Sequence, residues 1–370
     1  MLPTSFHQLI HDDEDKPIKF KIRGVGRGHS IKGSRERWTK HPHFDLDLFQ
    51  IHKEQMSEKL FKSCYVYAPA QIDELYQDIR LELIRPRETM AHSRNKLLLF
   101  MDKLHNSLSG NQMSVKYHIG VETAFSHIRD VVEAILNTFK DKNMVTFPSV
   151  EERALMVKIL AQRQDPLPHA LFAVDGSHIR CVGRKNHPER HSKKYGFWPA
   201  FNLCFMVERC MGTIVAFNMY VVYQPLSRMT LSTLCVRDPS CRKHDIKVLR
   251  EAWFFPQLDE IMKGPGGIIL ADKGYIGIQR DTADHTGVNC IAASYKMNMK
   301  GRKNCSNQFW FNMAAARGVV ETTFAKFFFN KFPQLCRWPG KAEKTFNEWA
   351  ANVTCCIIIY NKFKRAQRAF

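Results

Sequence analysis

The spacing of apolar residues changes character at one point in this chain. From about residue 68 to 140 they recur every three or four positions, as on one face of a helix. In IDELYQDIRLELI, Ile72, Leu75, Tyr76, Ile79 and Leu83 make one stripe. In VETAFSHIRDVVEAILNTF, Ala124, Phe125, Ile128, Val131, Val132, Ile135 and Phe139 make another. Past Pro166 and Pro168 the apolar residues come in short runs: LFAV (171–174), FNLCFMVE (201–208), TIVAFNMYVV (213–222) and IIL (268–270). These runs are β-branched or aromatic and bounded by Gly, Pro or charge, as strands are. Helical patterning returns around 245–262 and from 313 onward. Helices followed by strands mixed with helices predict an α/β domain on a central sheet behind an all-α region.

Three segments follow from this texture. Residues 1–60 are polar and mixed in charge, and RGVGRGHSIKGSRER (23–37) is Gly- and Arg-rich, so they read as a flexible basic arm. That stretch holds no GxGxxG and follows no strand, which argues against a dinucleotide site. Residues 61–165 are helical, and GNQMSVKYHIG (110–120) reads as a short linker between two helices, as in a helix-turn-helix. Residues 166–370 carry the sheet. With 370 residues, 44% of them hydrophobic, the chain can bury at least one large core.

Charge and cysteine usage narrow the function. Lys+Arg number 55 against 36 Asp+Glu, a net +19 that suits a polyanionic partner, nucleic acid first and an acidic membrane surface second. The longest apolar run near the C-terminus, VTCCIIIY (353–360), is shorter than the roughly 20 residues that span a bilayer. The first residues turn acidic where a secretory signal would be apolar. Eleven cysteines in hydrophobic surroundings, with no CxxC, fit reduced thiols. Cys235, Cys241 and His244 match no common zinc spacing.

Two stretches share one design. In LFAVDGSHIR four apolar residues lead into Asp175, and Gly176 follows. In GGIILADKGY a short apolar run ends on Asp272, and Gly274 lets the chain turn away. If the two strands lie side by side, both carboxylates stand at one edge of the sheet, where α/β sheets place their chemistry. Two close carboxylates raise one another's pKa, and a divalent cation resolves the conflict. The competing reading is that each aspartate caps a turn or pairs with a nearby arginine.

A third acid lies in ARGVVETTFAKFFFNKF (316–332). Val320, Phe324, Phe327 and Lys331 trace one helical face, with Phe328 beside it. Glu321 borders that stripe, so it is expected to face the sheet's edge rather than open solvent. Arg317, four residues earlier, either steers it as a ligand or forms a simple helix ion pair worth a few tenths of a kcal/mol. Ser177–His178 is not a hydrolase pair, because adjacent strand residues point to opposite faces and no nucleophile elbow is present.

Taken together, AVDGSHI, then KHD (243–245), ADKGY and FNMAAARGVVETTF resemble the catalytic blocks of PIF/Harbinger transposases and their domesticated nuclease relatives, members of the DDE superfamily. KYHIGVETAFSHIRDVVEAI resembles that family's helix-turn-helix, TFPSVEER (146–153) the linker after it, and EWAANVTCCIIIYN the C-terminal helix. The resemblance covers roughly residues 70–362 and departs from the family pattern after Glu321, where Thr322, Thr323, Phe324 and Ala325 replace the usual Arg-x-Phe-Gly. The block between Asp175 and Asp245 is also longer than usual.

What the resemblance implies is specific. The fold would be RNase H-like, with a central mixed sheet flanked by helices. Asp175, Asp272 and Glu321 would form the catalytic triad, and Asp245, supported by His244, would also stand near the metal. The cofactor would be Mg²⁺ or Mn²⁺. Two such ions about 3.5–4 Å apart activate water and stabilise the leaving oxygen of a phosphodiester. Double-stranded DNA would be the substrate, a Myb-like accessory protein a partner and the nucleus the setting, with a homo-oligomer left open. The alternative is a domesticated relative that binds DNA or protein without cleavage; an RNA nuclease of the same fold would share the site.

One basic stretch follows the first acid: Arg180, Arg184, Lys185, His187, Arg190, His191, Lys193 and Lys194, interrupted only by Glu189. It reads as a phosphate track, with Arg180, Arg184, Lys185, Arg190, Lys193 and Lys194 as the DNA phosphate contacts. Phe197 and Trp198 after it suit either base stacking or core packing.

Overall fold

The computed structural model describes residues 44, 46–140, 142, 144–181, 191–192, 198–218, 267–272, 275, 291–292, 307–338 and 343–366. A helical layer comes first: α1 (Leu48–Gln55), α2 (Glu58–Tyr65), α3 (Pro69–Leu83), α4 (Met90–Asn106), α5 (Gly110–Tyr117), α6 (Val121–Phe139) and α7 (Val150–Gln162). Their starts are written locally. The side chains of Ser57, Thr89, Ser109 and Ser149 each accept from the backbone N–H three residues on. A cap of this kind is worth about 1 kcal/mol.

All five residues of the α3 stripe are buried. On α6, Ala124, Ile128, Val131, Ile135 and Phe139 are buried, while Phe125 and Val132 sit at the margin of the core. Two elements differ from the sequence reading. Residues 110–117, expected to be linker, form α5. Ser109 and Gln112 make a capping box there, and a Cβ on Gly110 would stand 2.8 Å from a Val121 methyl, so glycine lets α5 approach α6. His118, in the left-handed region at φ 51°, turns the chain between them. Residues 48–60, read as part of a flexible arm, instead supply α1 and the start of α2, burying Phe49 and Phe61 against one another.

Buried charge ties the helical layer together. Lys96 on α4 is fully buried, 2.8 Å from both oxygens of Glu88 and 2.9 Å from Asp130 on α6. Desolvating such a cation is costly, and the two carboxylates offset it.

The sheet follows: β1 (Phe172–Cys181), β2 (His191–Ser192), β3 (Trp198–Glu208), β4 (Ile214–Asn218), β5 (Ile269–Ala271), β6 (Ile291–Ala292) and β7 (Arg337–Trp338). Along its main path the order is β2-β3-β1-β5-β6, with β4 pairing to β3 and β7 to β1 off that path. β1, β3 and β4 pair antiparallel, and β1, β5 and β6 pair parallel. The short β2 pairs antiparallel with β3, and the short β7 parallel with β1. The molecule is thus mixed α/β with a mixed sheet, as the change in apolar spacing predicts.

Strand alternation gives the sheet two packed faces. Phe172, Val174, Cys204, Met206 and Ala216 point to one, under Met156 and Leu160 of α7. Ala173, Leu203, Phe205, Val207 and Leu270 point to the other, which is covered by α8 (Asn307–Phe324) and α9 (Glu343–Ala366). After Phe324 the helix widens into π-helical turns over Ala325–Lys331. Phe205 stacks on Phe324 at 4.5 Å and meets Phe327 edge-on at 5.6 Å, fastening α8 to β3. Each such pair adds about 0.5–1.5 kcal/mol beyond burial. From residue 41 onward the chain forms one compact unit. Among the described residues no helix is long and apolar enough to cross a membrane.

Candidate functional site

Register decides where the acids stand. Phe172 faces Ile269 and Ala173 faces Leu270 across the parallel β1–β5 pair, partners 97 residues apart. Asp175 and Asp272 are also 97 residues apart. Extending the register brings them level on neighbouring strands. Parity adds the face: Ala173 and Leu270 lie toward α8, and Asp175 and Asp272 are two residues further along each strand.

Asp175 is not at a strand end, where the sequence reading put it. β1 runs on to Cys181 because β3 keeps pairing with it, and Asp175 itself faces Phe205. Asp175 lies instead two residues past Ala173, where the β1–β5 pairing ends. Asp272 does end β5, and the Tyr275 N–H donates to its carbonyl at 3.1 Å. Tyr275 is fully buried on the α7 side of the sheet.

Arg317 joins the third acid to the first. Its Nη1 is 3.3 Å from Asp175 Oδ2, and its Nη2 donates to Glu321 on the same helix. The Asp175 carboxylate also accepts from the Gly176 N–H at 2.8 Å. Glu321 is about half exposed rather than turned to the sheet's edge. The long Arg317 side chain, not the glutamate, spans the gap to β1.

The electrostatics of Asp175 reflect this crowding. Burial pushes its carboxyl up, Arg317 and the Gly176 amide pull it down, and Asp272 and Glu321 push it up again, leaving it at about 6. The burial has a visible source, since Phe205, its cross-strand partner, is locked among Phe324, Phe327 and Phe328. So Asp272 and Glu321 both act on Asp175 through space, with the Arg317 guanidinium as its countercharge.

The donor chemistry fits a hard divalent cation, which takes carboxylate oxygens and keeps some waters. Among the described residues, however, no three His, Cys, Asp or Glu side chains stand close enough to form a ready metal cage. Arg317 holds Asp175 and Glu321 together as an ion-pair bridge, and a cation there would have to displace it.

The remaining expected site residues divide simply. Asp245 and His244 lie outside the described residues, as do Arg184, Lys185, Arg190, Lys193 and Lys194. Arg180 is on β1, five residues beyond Asp175 and level with Ala200 of β3. What sequence reasoning missed is the reach of Arg317 to Asp175. The i, i+4 spacing to Glu321 flagged the arginine, but nothing local signals a contact 142 residues away. Compared with family models, curated proteins and solved structures, the chain matches none of them.

Proposed function

We propose that the chain is a divalent-metal-dependent DNA endonuclease of the DDE transposase type, with an RNase H-like catalytic fold. One observation carries this reading: Asp175, Asp272 and Glu321, chosen from sequence blocks far apart in the chain, converge on one place on the sheet, where the β1–β5 register brings Asp272 level with Asp175 and Arg317 bridges Asp175 to Glu321. The mixed sheet, with antiparallel strands on one side of β1 and parallel strands on the other, supports the fold. The net charge of +19 supports a polyanionic substrate.

In this reading Asp175, Asp272 and Glu321 hold Mg²⁺ or Mn²⁺, with Asp245 joining them. The metal supplies an activated water and charge stabilisation for a phosphodiester oxygen. The chain's own residues do the rest. Phe205 and its aromatic neighbours exclude water behind Asp175, and Arg317 keeps the carboxylates compatible before metal arrives. Arg180, Arg184, Lys185, Arg190, Lys193 and Lys194 line up phosphates. Nuclear residence and a Myb-like accessory partner follow from the resemblance alone.

A second reading rests on the same arginine. Because Arg317 already bridges Asp175 and Glu321, a relative that binds DNA or protein without cutting is also served by this arrangement. Nicking of supercoiled plasmid separates the two. The first reading expects Mg²⁺- or Mn²⁺-dependent nicking by the parent and none by a folded Asp175→Ala variant. Equal activity of the two proteins, or a parent inert with either metal, removes it.

A further inference from the structure

We propose that Lys326, Lys331 and Lys364 form a second phosphate-contact surface, separate from the acid cluster, that takes the backbone of duplex DNA. Lys326 and Lys331 come from the π-helical turns after α8, and Lys364 from the last turn of α9. Among the described residues none of the three forms an ion pair. Their neighbours behave differently: Lys62 pairs with Glu58, and Lys362 with Glu74 and Asp78. A protein surface normally interleaves its lysines with acids in the second way.

Geometry holds the charges where they are. The Lys331 ammonium sits 4.0 Å from the centroid of the Tyr67 ring, a cation–π contact that orders an otherwise flexible side chain. Tyr67 is itself buried. Lys364 lies 5.9 Å from the Tyr360 ring centroid. The two elements that carry them are in contact, since the Tyr67 ring under Lys331 lies 4.6 Å from the Phe363 ring of α9 and Phe327 of the π-helical turns meets Tyr360 edge-on at 5.7 Å, and the charges crowd one another. Burial first, then Lys364 and Lys62, lower Lys331 to about 8. Burial, then Lys326, lowers Lys364, with Glu208 opposing in part. Positive charge held on rigid supports against its own repulsion is relieved by a bound polyanion. A duplex offers evenly spaced phosphates on a rod, matching cations contributed by two elements rather than one pocket.

The inference rests on the nuclease reading for its substrate, so the test separates the two. Full-length parent and a Lys326→Gln/Lys331→Gln/Lys364→Gln variant are titrated with a short labelled duplex across a salt series. Three lost phosphate contacts should flatten the slope of log K against log salt by about three units. A Lys362→Gln variant, which removes an already paired lysine, should leave the slope nearly unchanged. If the triple variant does not fold, Lys326→Gln/Lys364→Gln should still flatten the slope by about two units. An unchanged slope, or equal flattening in the paired-lysine variant, overturns the surface. So does a triple variant that loses binding to phosphatidylserine vesicles but not to DNA. A parent that nicks plasmid while the triple variant keeps its slope overturns only the surface. A flattened slope in a chain that never nicks overturns only the nuclease. A parent with no affinity for duplex overturns both.

Discussion

Arg317 holds Asp175 from 142 residues away in the chain, its Nη1 3.3 Å from Oδ2, while its other amino group donates to Glu321. One guanidinium thus serves two acids that come from different elements. Taking it away leaves a partly buried carboxylate beside two others. Arg317→Gln should therefore destabilise the metal-free protein by about 2 kcal/mol. It should also enlarge the rise in melting temperature that saturating Mn²⁺ gives, because the cation no longer competes with an internal one. Melting curves with Mn²⁺ and with chelator check both. An unchanged metal-induced rise would mean that metal and guanidinium do not share these oxygens.

Asp175 makes stability depend on pH in a direction unusual for an aspartate. Its folded pKa, about 6, lies above the unfolded value of about 3.9. The proton therefore favours the folded state. The stabilisation is fully present below about pH 4 and is lost as pH rises through about 6. Between pH 4 and 8 the parent should lose about 3 kcal/mol relative to Asp175→Asn in chelator. Urea unfolding of both proteins at several pH values measures this. A difference that stays flat over that range would contradict the burial described for this carboxyl.

Glu321 separates a ligand from a helix ion pair. If it only pairs with Arg317 at the surface, Glu321→Gln should cost almost nothing with or without metal. If it joins Asp175 and Asp272 around a cation, the Mn²⁺-induced rise in melting temperature should shrink in the variant. Paired scans of parent and variant decide the matter. An identical rise in both would rebuild the site around Asp245.

Phe205 links packing to the site. It is fully buried between β3 and the aromatic residues of α8 and the turns after it. Phe205→Ala should cost about 3–5 kcal/mol. The cavity would also admit water beside Asp175, lowering its pKa toward the ordinary carboxylate range. Urea unfolding gives the first effect, and a flatter pH dependence than the parent's gives the second. A large stability loss with an unaltered pH profile would detach Asp175 from the aromatic clamp.

Much of this arrangement is legible in the sequence, for a physical reason. The 97-residue spacing of Asp175 and Asp272 equals the offset of the β1–β5 register, and strand parity puts both on the α8 face. The apolar stripe of α3 is buried residue for residue. Other features are not local. The exposure of Glu321 depends on how α8 is rotated against the sheet, which the Phe205 stack sets. α5 is masked in the sequence because Gly110 and Asn111 are turn formers. Ser109 with Gln112, three residues apart, was the signal that a helix starts there. The widening of the helix after Phe324 leaves no mark in the three-and-four spacing, since Phe324, Phe327 and Phe328 satisfy it anyway.

The side chain of Asn95 has a practical consequence for dissecting this protein. Its amide nitrogen donates to the carbonyls of Phe44 and Leu46, at 2.8 and 2.6 Å, and its oxygen accepts from the Leu48 N–H at 3.1 Å. A fragment that begins at residue 61 keeps this buried amide and discards everything it binds. Each orphaned group then costs about 1–3 kcal/mol, and Phe61 loses Phe49 besides. Cutting there would injure the helical layer rather than isolate it. Deletions meant to ask what the basic N-terminal residues contribute should stop before Phe44, so that the fragment keeps its own fastening.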